Sequence, residues 1–203
     1  MNNISLGFTQ DLLPPGTHMC YIYNDEEERS EVIAKFVESG LLGGEKVGYF
    51  VDAISPEEMR DHLASLGISP TPTQQAEREQ LVISNALNTY CCDGCFEPAA
   101  MLDKLGGFYR QSQKEGYVGA RATGEMTWAL RSVPGSEKLI EYESRLNLLV
   151  EENPITLICQ YDANQFNGAT IYDVLNVHPM MIVRGQVVLN PYYIPPTEFL
   201  ASL

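Results

Sequence analysis

Thr17-His-Met-Cys-Tyr-Ile-Tyr-Asn-Asp-Glu-Glu-Glu28 reads as a strand running straight into a helix, and the turn between them is filled with acid. Met19–Tyr23 is a short apolar run. Val32, Ile33, Phe36 and Val37 then recur at helical spacing up to Gly40, and Lys46-Val-Gly-Tyr-Phe-Val-Asp52 reads as a second strand. Strand, helix and strand in this order form a nucleotide-binding βαβ layout. A phosphate-binding version needs glycines and a lysine in the first turn, so that bare backbone N–H groups can cradle oxygen anions. Asn24-Asp-Glu-Glu-Glu28 puts carboxylates there instead. The layout points to the scaffold of an ATPase, and the residues argue against ATP.

Outward from this unit the chain keeps alternating. Ser55-Pro-Glu-Glu58 starts a helix with a cap, a proline at the first helical position and a capping-box glutamate. Met59, Leu63 and Leu66 form its apolar stripe, and Gly67 ends it. Residues 68–80, holding Pro70 and Pro72, read as an exposed connector. Leu81–Ile83 is the next strand, ending at Ser84-Asn85. A cysteine-bearing loop leads to a helix over Pro98–Glu115, and Tyr117–Ala122 is a strand running into Thr123-Gly-Glu125. Ser136–Glu151 is an amphipathic helix, Ile155–Tyr161 a strand ending at Asp162, and Asn167–Asn176 a short helix. Met180–Val183 and Gln186–Leu189 flank Arg184-Gly185 as a terminal hairpin, followed by the extended tail Asn190–Pro196. Alternating elements without repeats predict one α/β domain over residues 1–203 with a mainly parallel central sheet.

Composition narrows the class. With 203 residues and 44% apolar content, the chain is expected to bury a single substantial core. A net charge of −14, from 13 Lys+Arg against 27 Asp+Glu, argues against direct nucleic-acid binding, which depends largely on neutralising phosphates. No apolar run approaches the roughly 20 residues of a membrane span and no signal-peptide pattern opens the chain, so a cytoplasmic location is expected. An odd number of cysteines, five, fits a reducing compartment better than a disulfide framework.

Ligands of parallel sheets bind where the strands end at their carboxyl side. Those ends here carry Asn24, Asp25, Asp52, Asn85, Glu125, Tyr161 and Asp162, all polar. With Arg121 and Trp128 beside the fourth strand end, they form the candidate ligand-binding set; plain solvation and helix capping are the competing reading. Trp128 reads as a lid over an apolar pocket or as core packing. Arg121 needs a partner if buried, with Glu125 and Glu141 as candidates. No nucleophile–base pair is evident, so no catalytic residue is assigned. Tyr90-Cys-Cys-Asp-Gly-Cys-Phe96 holds one Cys-x-x-Cys pair, Cys92 and Cys95. A four-ligand zinc site needs more, and the further ligands His18, Cys20, His62, Cys159 and His178 are scattered in sequence.

Several segments together resemble the methanogen/methylotroph DcmR-type sensory domain, MEDS. They are Gly16–Tyr23, Gly40-Leu-Leu-Gly-Gly-Glu-Lys46, Gly116–Trp128, Glu141-Tyr-Glu-Ser-Arg-Leu-Asn147, Cys159-Gln-Tyr-Asp162 and Asn190-Pro-Tyr-Tyr193. The resemblance implies a degenerate RecA/KaiC-like three-layer sandwich ending in a β-hairpin. It also implies a non-catalytic domain that senses C1 or hydrocarbon-derived compounds and acts in transcription regulation or signal transduction. The expected partners are a small organic ligand and a regulatory protein or separate output domain, with a homo-oligomer compatible and no cofactor required. No helix-turn-helix or kinase module is expected within these residues. Relatives lack Cys91 and Cys95 in their Tyr-x-x-Asp-Gly-x-Phe loop, so a thiol or metal redox sensor using Cys91, Cys92 and Cys95 would be a local addition. The remaining alternative is a residual nucleotide-binding enzyme, or a carboxylate catalyst using Glu125 and Asp162.

Overall fold

β3 (His18–Tyr23) lies inside the sheet, paired in parallel with β7 (Thr156–Asp162) on one side and β8 (Met180–Val183) on the other. The structure is a computed structural model and describes residues 3–70 and 79–203; most of the predicted connector falls outside them. Beyond β7 come β6 (Ala120–Glu125), β4 (Lys46–Val51) and β5 (Leu81–Asn85), all parallel. Beyond β8 comes β9 (Gln186–Leu189), antiparallel, which completes the expected C-terminal hairpin. A separate small ribbon pairs β1 (Ile4–Ser5) with β2 (Leu12–Leu13), which the sequence did not announce. No helix among the described residues is long and apolar enough to cross a membrane.

The acidic turn builds a helix. Asp25 caps α1 (Glu26–Leu42), its carboxylate accepting from Glu28 N at 2.8 Å, and Glu26, Glu27 and Glu28 sit in the first turn. The positive end of the helix dipole, where a phosphate would bind, is thus met by the chain's own carboxylates. α1 runs past Gly40 rather than stopping there. Gly40 serves a packing role: a side-chain carbon on it would lie 2.6 Å from Arg121 Cδ. The helix ends at Gly43 and Gly44, the latter at φ +76°. α2 (Pro56–Ser65) carries the full capping box, Ser55 Oγ accepting from Glu58 N at 3.2 Å and Glu58 Oε2 from Ser55 N at 2.8 Å.

Three short stretches differ from expectation. β6 begins at Ala120, because Lys46 N and Val118 N bond Gly119 O and Gly44 O in a turn before the ladder starts. The cysteine loop contains α3 (Ala86–Tyr90), capped by Asn85. Ser136–Lys138 is a 3₁₀ turn ahead of α5 (Leu139–Glu152). The other helices, α4 (Pro98–Lys114), α6 (Gly168–Val177) and the terminal α7 (Pro196–Phe199), stand close to where the pattern placed them or in the tail.

Strand parity divides the interior into two cores. On one face, Met19, Tyr21, Val47, Tyr49, Val51 and Ile158 pack under Val32, Ile33, Phe36 and Val37 of α1 and Met59 and Leu63 of α2. On the other, Cys20, Phe50, Ala122, Leu157, Cys159 and Tyr161 pack under Met101 and Leu105 of α4, Leu146 of α5 and Val174 of α6. The result is the three-layer α/β/α sandwich.

Arg121 sits at the amino end of β6 on the α1 face, 1% exposed. Its partner is Glu45, reached at 2.7 Å from Nε, and not Glu125 or Glu141. It also donates to Phe36 O at 2.9 Å and Ser5 O at 3.0 Å, tying the N-terminal ribbon to α1. Arg121→Ala leaves Glu45 buried without its cation and is expected to cost about 3–5 kcal/mol in urea unfolding, with Arg121→Met/Glu45→Met recovering most of it. The Ser55 N–H bond holds the Glu58 carboxyl below its ordinary pKa. A lowered folded value stabilises above the unfolded pKa and is lost as pH falls. The stability gap between wild type and Glu58→Gln should therefore be present at pH 7 and close below about pH 4, as read by unfolding at several pH values.

Candidate functional site

Parity and strand order bring Tyr49 of β4, Glu125 of β6 and Gln160 of β7 together at the carboxyl edge of the sheet, under the first turns of α1. Glu125 is 3% exposed. Its Oε2 accepts from Asp52 N and Ala53 N, both at 2.7 Å, and its Oε1 accepts from Tyr49 OH at 3.2 Å. Arg29 completes the cluster. Its Nη1 donates to Gln160 Oε1 at 2.8 Å and Tyr49 OH at 2.9 Å and lies 3.5 Å from Glu125 Oε1, while Nε donates to Glu26 Oε2 at 2.8 Å. A second guanidinium bond, from Nη2, also goes to Glu26. Gln160 Nε2 in turn donates to Thr123 Oγ1 at 2.8 Å.

The electrostatics follow from burial. Burial alone would lower the Arg29 pKa, but contacts with Glu26, Tyr49 and Glu125 outweigh it and raise the value above the ordinary one. Burial, and then the Glu125 charge, push the Tyr49 phenol upward, so it keeps its proton and donates to Glu125. Arg29, the cation nearest the place a phosphate would occupy, is committed on every edge to groups of the protein. Among the described residues of this cluster, none offers an anion a free positive charge.

Beside this cluster, between α1 and α2, lies a cavity of about 900 Å³. Ile33, Ala34, Met59, Leu63, Leu66 and Ile68 give it apolar walls, and Arg29, Tyr49 and Glu125 form its inner end. Its mouth carries Glu27, Glu31 and Glu38 against Lys35, which is itself paired with Glu31 at 2.6 Å. Ser30 Oγ and His62 Nε2 meet at 3.1 Å, joining the two helices across it.

The residues expected at the site separate. Glu125 lines the cavity. Asn24 and Asp25 lie at the exposed entry to α1, where Asn24 O accepts from Asn164 Nδ2 at 3.2 Å. Asp52 is buried, its Oδ2 accepting from Thr127 Oγ1 at 2.7 Å and Arg131 Nη2 at 2.8 Å. Asn85 caps α3 through Asn88 N, and Asp162 holds its own turn through Asn164 N at 2.9 Å and Gln165 Nε2 at 2.7 Å. Three belong elsewhere. Arg121 is at the opposite end of β6. Trp128 is wholly buried and stacked on Tyr90 at 4.9 Å between ring centres, so it is core and not a lid. Tyr161 points to the other face of the sheet, where its hydroxyl donates to Glu143 Oε1 at 2.7 Å.

Arg29, Tyr49 and Gln160 were missed. Arg29 falls on the same helical stripe as Val32, Ile33 and Phe36, and a charge on an apolar stripe is the signal that would have found it. Gln160 is likewise a long polar side chain inside an apolar strand.

The cysteine loop and the dispersed ligands also resolve. Cys91 is buried; Cys92 is exposed, with Lys104 Nζ 3.2 Å from its sulfur; and Cys95 is half-buried. Among the described residues no third His, Cys or carboxylate joins Cys92 and Cys95 into a ligand group. The group with metal-ligating chemistry is instead His18, Glu143, Cys159 and His178, four buried residues whose ligand atoms all lie within 4.8 Å of one another. Three of the ligands that sequence spacing left scattered are therefore together, while His62 is on α2.

The match to known proteins agrees with this geometry. The family described as MEthanogen/methylotroph, DcmR Sensory domain matches residues 17–179. The chain belongs to the MEDS family. It is 27% identical over 162 residues to the transcriptional repressor DcmR of Methylorubrum extorquens, covering 79% of this chain and 57% of the repressor. The match thus spans little more than half of that protein. Among solved structures, a KaiC-like protein from Pyrococcus horikoshii OT3 superposes with a TM-score of 0.63 at 16% identity, covering 89% of this chain and 79% of its own. Flagellar accessory protein FlaH of Methanocaldococcus jannaschii gives 0.57 at 11%, covering 86% and 76%. At such identities these two establish the RecA/KaiC-like fold, and the fold alone.

Two substitutions test the cluster. Arg29→Met strands the buried Glu125 carboxylate and should cost about 3–5 kcal/mol, whereas Tyr49→Phe removes one bridging hydroxyl and should cost about 1–2 kcal/mol. Urea unfolding midpoints read both, and a smaller loss for Arg29→Met than for Tyr49→Phe would contradict the network described.

Proposed function

We propose that this MEDS domain is a non-catalytic sensor that admits a small, uncharged or cationic organic molecule, of the C1 or hydrocarbon-derived kind, into the cavity between α1 and α2. The observation that carries this reading is the combination of apolar walls, an acidic mouth and an inner end whose only cation, Arg29, is already committed. Such a site desolvates apolar surface favourably and repels phosphates. Family membership and the likeness to a transcriptional repressor support a regulatory role, with the output delivered through a partner protein or separate domain and without direct nucleic-acid contact by this acidic chain. No cofactor is needed for binding of this kind. The inner cluster gives the ligand something to move: a molecule reaching Tyr49 or Arg29 shifts hydrogen bonds that join α1 to β4, β6 and β7.

Thermal unfolding against short alcohols, haloalkanes, methylated amines and thiols, with ATP–Mg²⁺ as the contrast, tests the proposal. A binder at a hundredfold excess over Kd stabilises by about 2.7 kcal/mol, enough to move the midpoint by several degrees. Stabilisation by a member of the organic set, abolished by filling the cavity with Ala34→Phe, is the expected result. Stabilisation by ATP–Mg²⁺ alone would overturn it.

A further inference from the structure

On the sheet face opposite the cavity, four side chains from distant parts of the chain converge on one point. They are His18 at the start of β3, Glu143 on α5, Cys159 on β7 and His178 between α6 and β8. Glu143 Oε2 lies 3.2 Å from His18 Nε2, 3.3 Å from His178 Nε2 and 3.3 Å from Cys159 Sγ, and Cys159 Sγ lies 3.5 Å from His18 Nε2. His18, Glu143 and His178 are 0–1% exposed, and Cys159 is 4% exposed.

The surroundings decide where the protons are. His178 Nδ1 sits 2.7 Å from Val174 O, and a carbonyl can only accept, so Nδ1 carries the hydrogen. Asn147 Nδ2 donates to Val177 O at 2.8 Å, which turns its Oδ1 toward His18 Nδ1 at 3.0 Å; that nitrogen is therefore also N–H. With Nδ1 carrying the hydrogen, the neutral form of each ring leaves Nε2 as a bare lone pair aimed at a carboxylate oxygen. Apart from the Cys159 thiol, acceptors face acceptors in a dry interior, and His178 Nε2, 3.3 Å from Glu143 Oε2, has no hydrogen-bond partner. A buried arrangement of this kind is repulsive unless a cation stands among the four groups.

We propose that His18, Glu143, Cys159 and His178 form a closed, four-ligand site for a borderline-soft divalent metal of the zinc type. Two imidazoles, one thiolate and one carboxylate suit such an ion; in a tetrahedral site with bonds of about 2.0–2.3 Å neighbouring ligand atoms stand roughly 3.3–3.8 Å apart, and the four separations given above run from 3.2 to 3.5 Å. The second layer is also in place: each imidazole gives its other N–H to a carbonyl oxygen, and Tyr161 OH holds the free carboxylate oxygen. One thiolate and one carboxylate against a doubly charged ion make the buried centre neutral. With every ligand buried, the site has no open position for a substrate. It fastens α5 and the α6–β8 junction to the middle of the sheet, and it stands independently of the ligand proposed for the cavity.

The test uses the full chain purified without a polyhistidine tag or chelator. Elemental analysis should find about one zinc per chain, and the cobalt-exchanged protein should show tetrahedral d–d bands with a thiolate-to-cobalt charge-transfer band. Cys159→Ser should remove the charge-transfer band, Cys92→Ser/Cys95→Ser should leave metal and spectrum unchanged, and chelation should lower the unfolding midpoint by several degrees. If Cys159→Ser does not fold, the wild-type stoichiometry and cobalt spectrum still decide. Metal below about 0.1 per chain with no cobalt uptake by the folded protein, an octahedral cobalt spectrum, or metal lost with Cys92 and Cys95 would each overturn the assignment.

Discussion

Burial of the Glu125 carboxylate at the carboxyl edge of the sheet is the constraint on which the α1–α2 half of the molecule depends. An ion 3% exposed needs donors, and the chain supplies them from four residues on three segments. The backbone N–H groups of Asp52 and Ala53 fix the loop leading into α2, Tyr49 OH fixes β4, and Arg29 fixes the first turn of α1. The two helices that wall the cavity are therefore held at a set spacing by one charge. In a nucleotide-binding relative that edge would be shaped by a phosphate. Here the anion is part of the protein, the cation facing it is Arg29, and the volume left over is apolar.

The second organising fact is parity. β6 sends Arg121, Thr123 and Glu125 to the α1 face, and β7 sends Gln160 there while Cys159 and Tyr161 go to the other. Arg121 and Glu125 therefore share a face yet do no common work, because they stand at opposite ends of the same strand. Each end solves its own burial problem, Arg121 with Glu45 and Glu125 with Arg29.

Much of this was legible. The strand–helix–strand opening, the acidic first turn, the capping box at Ser55 and the terminal hairpin all rest on contacts within a few residues, which sequence pattern records directly. What was illegible depends on strand order. β3 lies between β7 and β8, so His18 and Cys159 become neighbours across 141 positions, and His178 joins them because α6 returns the chain to the edge of β3. No spacing rule reaches that far. Arg121 differs for a smaller reason: a strand read as Tyr117–Ala122 puts it next to the carboxyl end and Glu125, whereas the paired strand is Ala120–Glu125 and Arg121 stands at its amino end. Trp128 is ambiguous in sequence because a lid and a core plug look the same; Tyr90 stacked on it and Phe96 tilted against it settle the matter.

β7 connects the two halves. Gln160, which receives Arg29 and reaches Thr123, is flanked in sequence by Cys159 and Tyr161, which face Glu143. Successive side chains of a strand leave on opposite faces, so one backbone segment carries contacts into both helical layers. Glu143 holds those neighbours through the Tyr161 hydroxyl and the Cys159 sulfur, and it sits on α5. β7 therefore places the Gln160 contact at the inner end of the cavity one residue away from each of the two contacts that reach α5.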